Sequence, residues 1–228
     1  MLFEWEDDGV NARRPVPQSL HGRSVVLSPL ETADLRELYT AIGRPEVFAA
    51  GYGGGPAGLP ADADSFTTFA EHYYPWSTGI PFLVSATGAD GRRVVLGTTS
   101  LADLDLANRG AHIGWTAYDP RVWATSVNVE CKLLLLGLAF EHGFDRVKLQ
   151  ADAGNARSRA AITKLGAVFE GVLRHDRVRA DGSWRDTAVY SVLSEEWPAV
   201  RAGLESRLAA DTRPLPLPRP SSHTDPHH

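Results

Sequence analysis

The sequence predicts a mixed α/β (α+β) fold: a mostly antiparallel sheet of six to seven strands flanked by helices. Three observations predict it. Strand-like and helix-like runs alternate from about residue 20 to residue 210. Two Asp-Gly pairs, Asp90-Gly91 and Asp181-Gly182, each join two β-rich runs as hairpin turns. A long apolar run, Asn128 to His142, repeats its apolar residues at the helical period.

The elements follow in order. Ser24 to Ser28 is a short β-rich run. Thr32 opens a helix with Leu35, Leu38 and Ile42 at spacings of three and four. Gly51 to Ala61 is a glycine-rich loop, read as mobile and lying beside a substrate pocket. Asp64 to Tyr74 is an amphipathic helix with Phe66, Phe69 and Tyr73 on one face. Pro81 to Thr87 and Arg93 to Leu101 form a hairpin, and Ala111 to Ala117 is a third strand. The helix over Asn128 to His142 carries Val129, Leu133, Leu136 and Phe140 as its stripe and Gly143 as its stop. Val147 to Ala151 is a short strand. Asn155 caps a helix that ends at Leu165-Gly166. Phe169 to Val178 and Trp184 to Leu193 form the last hairpin, and Ser194 starts a helix through Leu208. Residues 1–20 read as an arm, 21–210 as one domain, and 211–228 as a Pro-rich disordered tail whose three histidines, His223, His227 and His228, read as a solvated end.

Composition narrows the function classes. Among 228 residues, 43% are apolar and 22% charged, an ordinary globular balance with room for a sizeable core. The formal charge of −5 argues against a broad nucleic-acid or anionic-membrane surface. One cysteine, Cys131, excludes an internal disulfide and a Cys-rich metal site, so no metal is expected. The acidic start, MLFEWEDDGV, lacks the basic region of a signal peptide. No run approaches the roughly 20 apolar residues of a spanning helix. The expectation is a cytoplasmic protein without nucleic-acid or membrane partners.

The chemistry concentrates in two places. Arg121 to Val127 is a tight turn that opens the long helix. Backbone N–H groups at a helix start, with the helix dipole behind them, hold a diphosphate without needing a lysine. Small residues at Ala124, Thr125 and Ser126 let a ligand approach the backbone. The second place is the Asn155-capped helix, with Ser158 three residues on. The stretch from Gly51 to Gly58 lacks the Gly-Lys-Ser/Thr of a P-loop.

On these residues the chain resembles the GNAT superfamily of acyl-CoA-dependent N-acyltransferases, in its RimJ/RimL-like branch. The family turn Arg/Gln-x-x-Gly-x-Gly/Ala appears as Arg121-Val122-Trp123-Ala124-Thr125-Ser126. Trp123 and Glu130 fit the branch. So do Asn155, Ser158, Leu165 and Gly166 of the second motif, and Arg174, Tyr190 and Glu196-Trp197 at the end. Both turn glycines are replaced, by Ala124 and Ser126, and a Cβ at a positive φ costs about 1 kcal/mol. The family's acid tyrosine is replaced by Ile162.

The resemblance implies two splayed central strands, acetyl-CoA as co-substrate, and transfer of its acetyl group to a primary amine by direct attack in a ternary complex. The acceptor is a small-molecule amine or a protein N-terminal amine, and a homodimer is among the assemblies open to the chain. A longer donor such as succinyl-CoA, a degenerate CoA-binding regulatory module, and a structural subunit using the Pro-rich tail are the competing readings.

The candidate cofactor residues are Trp123, Ala124, Thr125, Ser126, Val127, Asn128, Asn155 and Arg159, with Arg157 as a second phosphate ligand. The candidate catalytic residues are Ser158 as acid, His112 as base and Asp105 as a carboxylate that receives a cationic amine. Each has a plainer alternative: Asn155 and Ser158 as capping groups, the arginines as surface charges, His112 as a structural histidine, Asp103 and Asp105 as turn caps. Glu130 and Cys131 read as structural. Tyr73, Tyr74 and Trp76 read either as pocket lining or as core.

Overall fold

The computed structural model describes residues 11–217. Its sheet has eight strands: β1 (Leu20–His21), β2 (Val26–Pro29), β3 (Ile80–Thr87), β4 (Arg93–Asp105), β5 (Gly110–Tyr118), β6 (Arg146–Asp152), β7 (Val168–Val178) and β8 (Trp184–Leu193). They lie in the order β1-β2-β3-β4-β5-β6-β8-β7. The count exceeds the expected six to seven because the two-residue β1 pairs with β2. Every pairing is antiparallel except β5 with β6.

That one parallel pairing creates the site. It runs from Gly110↔Arg146 to Ile113↔Leu149 and stops there. Strand β5 continues to Tyr118 and β6 to Asp152, so the two strands part and open a V between their C-terminal ends. A bulge in the β4–β5 ladder between Thr98 and Ser100 marks the place, and Trp115 beside it has φ +49°. The bend takes β5 away from β6 just past Ile113.

Among the described residues six α-helices flank the sheet. Helix α4 (Val127–Glu141) and α6 (Trp197–Ala210) lie on one side, with α5 (Ala156–Lys164) beside β6. Helix α4 is apolar nearly all round, so it buries more than one stripe: Val127, Cys131, Leu135, Leu138 and Ala139 are buried besides the expected Val129 and Leu136. Leu133 and Phe140 are only partly buried. Helices α1 (Leu35–Ile42) and α3 (Ala63–Tyr73) cover β3 to β5 on the other side, joined to them by Phe48 of the short α2 (Pro45–Ala49). On β6 the burial alternates strictly: Val147, Leu149 and Ala151 face α4, and Lys148, Gln150 and Asp152 face away.

Both ends of the described chain are tied down. Ala12 is buried, and the Arg13 N–H donates to the His142 carbonyl. Of the expected tail, residues 211–217 form no regular element, yet Leu215 and Leu217 pack on the core and Arg23 donates to the Leu208 and Asp211 carbonyls. Residues 218–228, with their three histidines, lie outside the described residues. Among the described residues no helix is long and apolar enough to cross a membrane.

Candidate active site

The V between β5 and β6 faces two helix starts. The turn before α4 follows β5. Its Asp119 carboxylate accepts from the Arg121 backbone and guanidinium, which holds it below the usual carboxylate range despite burial. Arg121 therefore shapes the turn rather than facing a ligand. Ala124 has φ +59°, the left-handed region that the replaced glycine would favour. Ser126 has φ −67° and ψ −16°, ordinary helical values, so its replacement of glycine carries no backbone strain.

The N–H groups of Ala124, Ser126 and Asn128 find no acceptor among the described residues. That of Val127 donates to the Thr125 hydroxyl, and its side chain lies in the core. Asn128 accepts from the Tyr118 hydroxyl. A hollow of about 410 Å³ lies against Ala124, Thr125, Ser126 and Val129, bounded by Arg207, Asp211 and Arg213. Sequence reasoning missed both arginines, because they belong to the end of α6 and the tail.

A second cleft, of about 700 Å³, lies at the mouth of the V. Glu46, Gly51, Gly55, Trp123, Asp152, Asn155, Arg157 and Arg179 line it. The glycine-rich segment borders it and forms two 3-10 turns, Tyr52–Gly54 and Pro56–Gly58. A Cβ at Gly58 would lie 2.1 Å from the Gly53 carbonyl oxygen, so this fold-back needs glycine there.

Asn155 is the N-cap of α5. Its Oδ1 accepts from the Ser158 N–H at 2.9 Å, and its Nδ2 donates to the Ala50 carbonyl at 2.6 Å. It thus clasps α5 to the glycine-rich segment, a use of the amide the sequence did not foresee. Ser158 is half-buried one step from the cleft lining, and its hydroxyl bonds to nothing among the described residues. The two arginines part company because positions two apart on a helix point to opposite sides. Arg157 lies over Trp123 at 3.7 Å, across the cleft mouth. Arg159 turns away to the Tyr190 hydroxyl and the Ala153 carbonyl, which corrects its assignment as a cofactor ligand.

His112 lies on β5, one residue before the strands part. It is 5% exposed and its Nδ1 meets Asp103 Oδ2 at 3.0 Å; Nε2 is buried without a partner. Lys148, opposite it on β6, reaches the same carboxylate at 3.5 Å. Burial pushes the histidine below its usual range against the opposing pull of Asp103. The Asp103–His112 pairing was not legible: a bulge between Ala102 and Asp105, with Asp103 at φ +50°, brings the carboxylate onto the histidine.

Asp105 needs correction. It sits at the hairpin tip, opposite Gly110, and its carboxylate caps Asn108. From there the strands part past Ile113, roughly 10 Å away at about 3.3 Å per residue, while the Asp105 carboxylate is held at the tip by Asn108. Glu130 is buried and accepts from the Ser24 N–H, holding the β1–β2 turn. Cys131 is buried, its thiol pushed up to about 12 by burial, which suits packing and not nucleophilic attack. Tyr74 is core, its hydroxyl joined to that of Tyr52, and Trp76 packs beside it.

Comparison with known proteins bears on the family and the fold. Residues 24–168 match the family model described as an acetyltransferase (GNAT) domain. The Bacillus subtilis (strain 168) protein named "Putative ribosomal N-acetyltransferase YdaF" is 33% identical over 101 residues, 44% of this chain. The match spans 55% of that relative's length. A crystal structure of an acetyltransferase from T. thermophilus superposes with a TM-score of 0.74 at 33% identity, covering 86% of this chain and 100% of that one. A GCN5-related N-acetyltransferase from Brucella melitensis gives 0.77 at 26% identity, over 87% and 89%.

Proposed function

The chain belongs to the GNAT acetyltransferase family, and from that premise we propose that it transfers an acetyl group from acetyl-CoA to a primary amine in a ternary complex. The observation that carries the reading is the V itself. Two strands part past Ile113 and Leu149, and a helix start with unengaged N–H groups stands at the open end. The hollow on Ala124 to Ser126, flanked by Arg207 and Arg213, suits the diphosphate. The cleft between Trp123 and Asp152 suits the arm that carries the thioester into the V.

The chemistry follows from the side chains. Neutral His112, its Nδ1–H given to Asp103, keeps the Nε2 lone pair for the proton of the incoming ammonium. The freed amine attacks the thioester carbon, a C–N bond forms and the C–S bond breaks. Ser158, whose hydroxyl is unengaged, is the donor we assign to the departing thiolate. The name of the Bacillus relative supports a protein N-terminal amine as acceptor, beside small amines.

Thiol release from acetyl-CoA and succinyl-CoA over an amine panel tests the reading. Acetyl-CoA consumption dependent on an amine is expected. Binding of acetyl-CoA without turnover on any amine would favour a CoA-binding module, the reading to which strain at Ala124 and the loss of tyrosine at Ile162 point.

A further inference from the structure

One buried charge takes no part in the proposed transfer. Lys132 lies on α4, six residues past Ser126, and is 4% exposed. Its ammonium donates to the Thr116 hydroxyl at 2.8 Å and to the Thr99 hydroxyl at 3.2 Å. Those two hydroxyls bond to each other at 2.8 Å. Among the described residues the ammonium has no other hydrogen-bond partner, so its third hydrogen is unengaged. A lone ammonium in a core is costly, and an apolar side chain of similar length is buried there more favourably. What the lysine does at this place is legible from the two threonines it meets.

Both threonines belong to the bulge that opens the V. Thr98 pairs with Ala117 and Ser100 with Gly114, so Thr99 alone stands against Trp115 and Thr116. Trp115 holds φ +49° there, a backbone region that a bulky residue keeps only when its surroundings hold it. Two contacts hold this bulge, one from each side of the sheet. On the α3 side the Trp115 indole N–H donates to the Tyr73 carbonyl at 2.8 Å. On the α4 side Lys132 bonds the bulge residues of both strands. The helix that carries Lys132 also begins at the turn assigned to the diphosphate. Six residues at 1.5 Å each put Ser126 about 9 Å from Lys132 along the axis. A continuous helix is stiff over that length, so the lysine ties the wall of the V to the helix start.

Resting on the acetyl-transfer reading above, we propose that Lys132 is a positioning residue for acyl-CoA: by tying α4 to the bulge in β5, it sets the spacing between the diphosphate turn and the V. It acts through Thr99 and Thr116 and not by touching the ligand. A ligand that spans the turn and the V depends on that spacing, and one that sits on the turn alone does not. Methionine at position 132 fills the space but cannot bond the two hydroxyls, so the bulge loses its α4 anchor while the core keeps its packing. Stability and affinity for the spanning ligand then move in opposite directions. A lysine that only packs gives the first change without the second.

The test compares two ligands and needs no turnover. Calorimetry is made with CoA, which spans the turn and the V, and with adenosine 3′-phosphate 5′-diphosphate, its nucleotide half, which reaches the turn alone. CoA binding at least about tenfold weaker in Lys132→Met than in wild type is expected, with the nucleotide half changed by less than about twofold. Urea midpoints of the same samples at pH 7 should not fall. Thr116→Val removes the other side of the same joint. It should also weaken CoA, and the double variant should lose little beyond Lys132→Met, because the two residues act as one unit. Equal CoA affinity in wild type and Lys132→Met, or an equal loss for CoA and its nucleotide half, overturns the positioning role and leaves acetyl transfer standing. The expected split in affinities, with thiol release on no amine of the panel, sustains the positioning role and overturns the transfer reading. A wild-type chain that binds no CoA overturns both. If Lys132→Met does not fold, Thr116→Val carries the comparison, and wild-type CoA affinity in it overturns the positioning role.

Discussion

The diphosphate turn makes a prediction with two opposite signs. Ala124 has φ +59° and is exposed, so its methyl group is strained and has little packing to lose. The left-handed region costs a non-glycine residue about 1–2 kcal/mol. Glycine removes that cost but gives the unfolded chain about 0.4–1 kcal/mol more freedom. Ala124→Gly should therefore stabilise the chain by about 0.5–1 kcal/mol, raising Tm by roughly 1–4 °C for a chain of this length. Ser126 sits at φ −67° and ψ −16° at the helix start. Glycine gains nothing there, and Ser126→Gly should destabilise by about 0.5–1 kcal/mol. Urea unfolding midpoints at constant slope measure both. The family turn writes glycine at both positions, so a rule based on the motif alone makes both changes favourable. Two midpoint shifts of the same sign, or a lower midpoint for Ala124→Gly, would refute the backbone reasoning.

Three further perturbations test other parts of the site. Burial lowers the folded-state pKa of His112, so the folded chain favours the neutral ring. Its contribution to stability is present above the unfolded value of about 6.5 and declines as pH falls through that value toward the folded one. His112→Gln should flatten the loss of stability between about pH 7 and 5 and lower kcat about 100-fold; parallel stability profiles would contradict the burial argument. Asn155→Ala removes both the α5 cap and the bond to the Ala50 carbonyl, and should cost about 1–2 kcal/mol in denaturant unfolding. A change within error would show that the clasp contributes nothing. Lys132 is 4% exposed, bonded among the described residues only to the Thr99 and Thr116 hydroxyls, and burial brings it down to about 8. Lys132→Met should raise stability at pH 7 by about 1–3 kcal/mol, because the folded chain there buries a charge with no carboxylate. The folded pKa is the lower one, so wild type gains on the variant as pH rises from about 8 toward the unfolded value of about 10.4. A gap between the two that does not narrow over that range would mean Lys132 keeps its proton when buried, with no lowering of its pKa.

How far the sequence reads depends on what fixes each feature. Hairpin turns and helix ends are set by residues at the feature itself, so Asp90-Gly91, Asp181-Gly182, Asn155 and Gly166 marked their elements within a residue or two. Helix α2, of five residues, and β1, of two, are too short for any period to show. The V was expected only through the family resemblance, since no residue pattern announces where a parallel ladder stops. The site misses share a different cause. A charged side chain's partner is chosen by register, and register changes at bulges that sequence does not mark. One bulge brings Asp103 rather than Asp105 to His112. A second, between Leu173 and Arg177, sets Arg177 against Arg185. Lys132 was hidden by its setting: an apolar run predicts a buried helix and says nothing of the one ammonium drawn in with it. Arg157 and Arg159 share a helix turn and a charge, yet the 100° step per residue sends one across the cleft and the other to β8. Reading a catalytic face from sequence therefore needs the pairing register first, because a one-residue shift exchanges the face that meets substrate with the face that meets α4.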